Sequence, residues 1–77
     1  MFGTRLNKTR KTKGYTASQM ADVAGVNLHS YRKYESNDRQ PSYDILIKLA
    51  DTLDVSTDFL LGRTENEKLL GASFDES

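Results

Sequence analysis

Between Asn27 and Lys33 the chain reads Asn-Leu-His-Ser-Tyr-Arg-Lys, a run dense in hydrogen-bond donors. The imidazole of His29, the guanidinium of Arg32 and the ammonium of Lys33 suit a partner rich in acceptors or negative charge. Covalent and metal chemistry have no comparable support. The chain holds no cysteine, so disulfides, thiolate nucleophiles and Cys-based metal sites are excluded, and its one histidine cannot form a cluster. No nucleophile–base pair and no phosphate-cradling glycine loop occurs. We therefore expect no enzymatic activity, no metal and no cofactor.

The charge pattern bears on the partner. Formal net charge is zero over 77 residues. Residues 1–40 nevertheless hold eight basic and three acidic side chains, and residues 41–77 hold three basic and eight acidic ones. A basic half can face nucleic acid while an acidic half stays off it. The plainer alternative is two solvated faces with no partner.

Helices must position these groups, because strand signals are nearly absent. The spacing predicts a first helix from about Phe2 to Lys13, ended by Gly14. Thr16-x-x-Gln19 forms a capping box that opens a second helix, with Met20, Ala21, Val23 and Ala24 inward and Gly25 as the stop. Asn27 caps a third, Leu28 to Ser36, whose inward residues are Tyr31 and Tyr34. A polar loop, Ser36 to Gln40, leads to Ser42, the cap of the most amphipathic segment, with Ile45, Leu46, Leu49, Ala50 and Leu53 inward. A short fifth helix spans Thr57 to Leu61. Thr64-x-x-Glu67 can cap one more turn through Leu70, before a disordered tail from Ala72 to Ser77. We expect one all-α domain over residues 1–63 and a C-terminal extension over 64–77.

The junction Ala24-Gly25-Val26-Asn27 is the informative part. Gly25 permits the positive φ of a tight turn. Ala21 lets the third helix cross close to the second, and Val26 and Tyr31 point into the angle between them. This is the spacing of a helix-turn-helix. With Arg5-Leu6, Arg10, Gly14-Tyr15-Thr16, Met20-Ala21, Tyr34-Glu35, Pro41-Ser42, Leu49-Ala50, Val55-Ser56 and Asp58-Phe59-Leu60-Leu61-Gly62, the sequence resembles the XRE family, the lambda-type phage repressor and Cro domains. The resemblance covers roughly residues 2–63 and implies a compact five-helix, lambda-repressor-like fold whose third helix is the recognition helix. Tyr31 departs from the family's usual β-branched aliphatic, so the core must accept a ring and place its hydroxyl. Ala17 stands where a Gln often meets the DNA backbone.

The resemblance implies double-stranded DNA as the partner and a division of labour among residues. Asn27, Leu28, His29 and Ser30, with Arg32 and Lys33 a turn on, would face the bases. Leu28 suits a thymine methyl, and His29, Arg32 or Lys33 suits guanine O6 and N7. The alternatives are a solvated helix position for His29, a phosphate for Lys33, a protein acid for Arg32 and minor packing for Leu28. Phosphates would meet the starts of two helices, at Thr16, Ala17, Ser18 and Gln19 and at Arg39, Gln40, Ser42 and Tyr43. Asp38 and Asp44 oppose an anion at the second cluster. The family pattern also implies a structural ion pair between Arg10 and Glu35.

One such domain covers only a few base pairs, which implies a homodimer on a palindromic site. Val55, Phe59 and the segment Thr64 to Leu70 are the candidate dimer surface, because Phe59, Leu60 and Leu61 cannot all be buried in one short helix; the alternative is that these three only close the core. The expected function is a cytoplasmic, nucleoid-associated bacterial or phage transcriptional repressor, with a regulatory protein partner open. Two alternatives use the same fold: an antitoxin that binds its toxin and operator, and a protein-interaction module. No apolar run approaches the ~20 residues of a membrane span.

Overall fold

The computed structural model describes residues 2–65. Among them every regular element is helical: α1 (Phe2–Lys13), α2 (Ala17–Ala24), α3 (Leu28–Glu35), α4 (Tyr43–Leu53) and α5 (Thr57–Leu60). The turn expected from Thr64 to Leu70 and the tail from Ala72 fall largely outside the described residues. No helix among those described is long and apolar enough to cross a membrane.

Side-chain caps set the helix starts. Thr16 Oγ1 accepts the Gln19 N–H at 3.0 Å while Gln19 Oε1 accepts the Thr16 N–H at 2.8 Å, a reciprocal box that satisfies two orphan donors of α2. Asn27, Ser42 and Ser56 cap α3, α4 and α5 in the same sense, each accepting the N–H three residues on. Gly25 ends α2 at φ +74°, a conformation that a side chain opposes. The Val26 N–H then reaches back to the Ala21 carbonyl at 3.1 Å and closes the turn. Asp54 does the same for α4 at φ +59° without a glycine.

One face of each helix supplies the core. Leu6, Met20, Tyr31, Leu49, Leu53 and Leu60 are fully buried, and Ala21, Ala24 and Ala50 fill the close crossings between them. Tyr31 and Tyr34 meet edge to face at 6.1 Å, a favoured aromatic geometry. Helix α2 packs on both α3 and α4, and α1 packs across α3, α4 and α5. Tyr15, in the α1–α2 turn, donates its hydroxyl to the Thr52 carbonyl at 3.3 Å and ties that turn to α4.

Candidate nucleic-acid interface

Helical periodicity divides α3 into two faces. Tyr31 and Tyr34 turn inward and are buried. His29, Arg32 and Lys33 are exposed, and their side chains form no hydrogen bond or ion pair among the described residues. Leu28 and Ser30 lie at the edge and are half-buried. Asn27 is exposed, with its Oδ1 committed to the Ser30 N–H at 2.7 Å. An outward face of three donors, free of internal partners, can pair with acceptors on a second molecule.

The α2 N-terminus lies one short helix away. Thr16 and Gln19 are occupied as the capping box, and the first-turn N–H groups of Ala17 and Ser18 are left over for a partner. Such a helix start attracts anions through its N–H groups and dipole. In the second cluster Arg39, Gln40 and Tyr43 are exposed, and Ser42 Oγ accepts the Ile45 N–H at 3.3 Å. Asp38 is held by the Ser36 hydroxyl at 2.8 Å, and Asp44 is exposed in the first turn of α4.

A buried polar network fixes the orientation of α3. Arg10 Nε donates to Glu35 Oε2 at 2.6 Å, and both side chains are only 11% exposed. Asn7 Nδ2 donates to Oε1 at 2.7 Å and the Tyr31 hydroxyl to Oε2 at 2.6 Å. A second Arg10 nitrogen, Nη1, donates to the Tyr15 carbonyl at 3.0 Å. Burial opposes charge on Glu35, but hydrogen bonds from Arg10, Tyr31 and Asn7 outweigh it and hold the carboxyl below its usual range. Burial first, and then the Glu35 carboxylate, push the Tyr31 phenol well above its ordinary value. The hydroxyl that distinguishes Tyr31 from an aliphatic residue is thus placed on Glu35.

Sequence reasoning missed the contact that seats α1 on the end of α3. A Cβ at Gly3 would lie 2.4 Å from the Glu35 carbonyl oxygen and 2.5 Å from that of Tyr34, so only glycine allows the approach. Asn37, at φ +67°, accepts the Gly3 N–H on its Oδ1 at 2.8 Å. A glycine inside a polar helix and an asparagine just past a helix end were the available signals. Asn7 was also missed; its place on the Arg10 side of α1 was the clue. Arg5, quoted only as part of a motif, sits 4.5 Å over the Phe59 ring and donates to the Phe59 and Thr64 carbonyls.

The dimer candidates Val55 and Phe59 differ in position. Val55 is 7% exposed within the core, so its side chain offers no surface to a second copy. Phe59 is half-buried and covered in part by Arg5.

Comparison with known proteins gives this geometry a context. The helix-turn-helix family model HTH_3 matches residues 6–60. The SPbeta prophage-derived HTH-type transcriptional regulator YonR of Bacillus subtilis is 48% identical over 64 residues, covering 83% of this chain and 59% of YonR. The cryptic phage CTXphi transcriptional repressor RstR of Vibrio cholerae is 45% identical over 69 residues, covering 86% of this chain and 62% of RstR. This chain thus spans about three-fifths of the length of the curated relatives it matches. The solved N-terminal DNA-binding domain of SinR from Bacillus subtilis superimposes with a TM-score of 0.70 at 40% identity, over 79% of this chain and 90% of that one. The two short capped helices joined at Gly25 and the match over residues 6–60 lead to one assignment: the chain belongs to the XRE-type helix-turn-helix family.

Proposed function

We propose that this protein is a DNA-binding transcriptional regulator, most simply a repressor that occupies a palindromic operator as a homodimer. The observation that carries the reading is the outward face of α3. His29, Arg32 and Lys33 project from it without internal partners, while the opposite face is locked to α1 through Glu35. A helix whose back is immobilised and whose front is unpaired is prepared to enter a major groove. Lys33 and Arg32 supply charge, His29 a donor, and Leu28 an apolar edge for a thymine methyl. The first turn of α2 and the Arg39–Tyr43 segment flank α3 as phosphate holders. A cytoplasmic, nucleoid-associated location follows from this partner. The names of YonR and RstR support a regulatory role, and that of RstR supports repression.

Fluorescence-anisotropy titration of a duplex enriched from a random pool tests the reading. Tight binding that weakens by about a thousandfold between 50 and 200 mM salt is expected if about six phosphates are held. Sedimentation in the presence of that duplex should find two chains per site. Affinity unaffected by salt contradicts the DNA reading, and one chain per site contradicts the dimer.

A further inference from the structure

The segment between α3 and α4 carries Arg39 and Gln40, and its backbone folds back onto α3. The Asn37 N–H donates to the Tyr34 carbonyl at 3.3 Å, and the Asp38 and Arg39 N–H groups both donate to the Lys33 carbonyl, at 3.0 and 3.2 Å. Asn37 makes this reversal at φ +67°, a left-handed conformation that asparagine visits more readily than most residues. Its side chain then leaves the loop, and Oδ1 accepts the Gly3 N–H at 2.8 Å. Gly3 lies in the first turn of α1, where an N–H has no acceptor within its own helix and where no acidic side chain stands. Asn37 therefore caps α1 from 34 positions away. Among the described residues this is the one hydrogen bond that joins segment 36–40 to an element other than α3.

We propose that Asn37 is a positioning residue for DNA binding: through its bond to Gly3 it fixes the backbone beneath Arg39 and so presents that guanidinium to a phosphate. The Arg39 side chain is exposed and takes part in no hydrogen bond or ion pair among the described residues. Its direction is set by the backbone that carries it. The two N–H groups at the Lys33 carbonyl share one acceptor at a helix end, where helices fray. The bond to Gly3 ties the same loop to a second helix. That helix is braced on α3 by the Arg10–Glu35 pair, so Arg39 takes a fixed place relative to Arg32 and Lys33. A contact group held in place before binding loses less freedom when its partner arrives. Asp38, the neighbouring acid, is engaged by the Ser36 hydroxyl at 2.8 Å. The role rests on the DNA reading above and deepens it: α1 contributes to phosphate contact through Gly3 rather than by touching DNA itself.

Asn37→Gly removes the acceptor and keeps the positive φ, so the turn itself survives. Hydrogen exchange of the Gly3 amide reads the bond without DNA. It should quicken in Asn37→Gly and stay slow in Asn37→Asp, which keeps an acceptor; equal exchange in wild type and Asn37→Gly would overturn the proposal. Binding is then read as a double-mutant cycle on the selected duplex, between about 50 and 200 mM salt and well below Tm. Arg39→Ala should weaken binding severalfold and flatten the slope of log affinity against log salt by about 0.9, the loss of one phosphate. Asn37→Gly should shift both quantities in the same direction in the wild-type background and neither in the Arg39→Ala background. Groups that act independently add, so an equal fold-loss in both backgrounds would overturn the positioning role. So would weaker binding at an unchanged salt slope, which is what a merely less stable fold gives. Wild type and Asn37→Gly should enrich the same sequence from a random pool, and a changed sequence would assign the effect to α3 instead of Arg39. A wild type that binds no duplex would overturn the DNA reading, and this role with it. Tight wild-type binding beside an additive cycle would overturn the role alone.

Discussion

Arg10 Nε lies 2.6 Å from Glu35 Oε2 and so joins the first helix to the last residue of the third. Neither side chain has much access to water. The carboxylate answers this with four donated hydrogen bonds, two from Arg10 and one each from Asn7 and Tyr31. A buried charge so completely paired fixes geometry more than it adds net stability. What it fixes here is the roll of α3, and with it the direction in which His29, Arg32 and Lys33 point.

Arg10→Ala should therefore lower stability substantially and, by loosening the roll of α3, weaken DNA binding more than it changes which bases are preferred. The variant strands a buried carboxylate, which costs about 3 kcal/mol. In a domain of this size that lowers Tm by more than about 10 °C. Thermal unfolding followed by circular dichroism is the check, and an unchanged Tm would show that the pair bears no load.

Stability should fall at both ends of the pH scale, for different groups. Glu35 has a lower pKa folded than unfolded, so its contribution is complete above its ordinary value of 4.5 and is lost as the pH drops through the folded value. Tyr31 is shifted upward, so its contribution is complete below its ordinary value of 10.0 and is lost as the pH rises above that. Glu35→Gln should flatten the acid limb of Tm against pH, and Tyr31→Phe should remove the alkaline one. Tyr31→Phe should also raise the Glu35 pKa, because one hydrogen bond to the ionised form is gone. An acid limb that survives Glu35→Gln would assign it to other carboxylates.

Gly3→Ala should destabilise the fold even though alanine is the better helix former. The added methyl meets the Glu35 and Tyr34 carbonyls at under 3 Å, and both are backbone atoms that cannot swing aside. Moving α1 away would stretch the Asn37–Gly3 hydrogen bond and the Arg10–Glu35 pair together. We expect a loss of about 2 kcal/mol, typical of overpacking, measured by urea denaturation. A gain in stability would mean that the α1–α3 approach is looser than described.

Local chemistry made much of this fold legible in the sequence. Thr16 with Gln19, and Asn27, Ser42 and Ser56 mark helix starts because a cap bonds only three residues ahead. Periodicity likewise separated Tyr31 and Tyr34 from His29, Arg32 and Lys33. What escaped was long-range. Gly3 meets Asn37 across 34 positions and Arg5 meets Phe59 across 54, and no local spacing encodes either pairing. Val55 escaped for a related reason: a valine beside a short helix looks the same whether the core or a second copy covers it, and here the core does.

Selection from a random duplex pool, run in parallel with the wild type and with His29→Ala, Arg32→Ala and Lys33→Ala, tests the central claim most directly. The account predicts that the wild type enriches an inverted repeat with half-sites about ten base pairs apart. At least one variant should keep that spacing, lose preference at one position in each half-site, and weaken binding to the wild-type site by about 1–3 kcal/mol. Enrichment of the same sequence by all four proteins, or of no sequence by the wild type, would contradict base reading by α3.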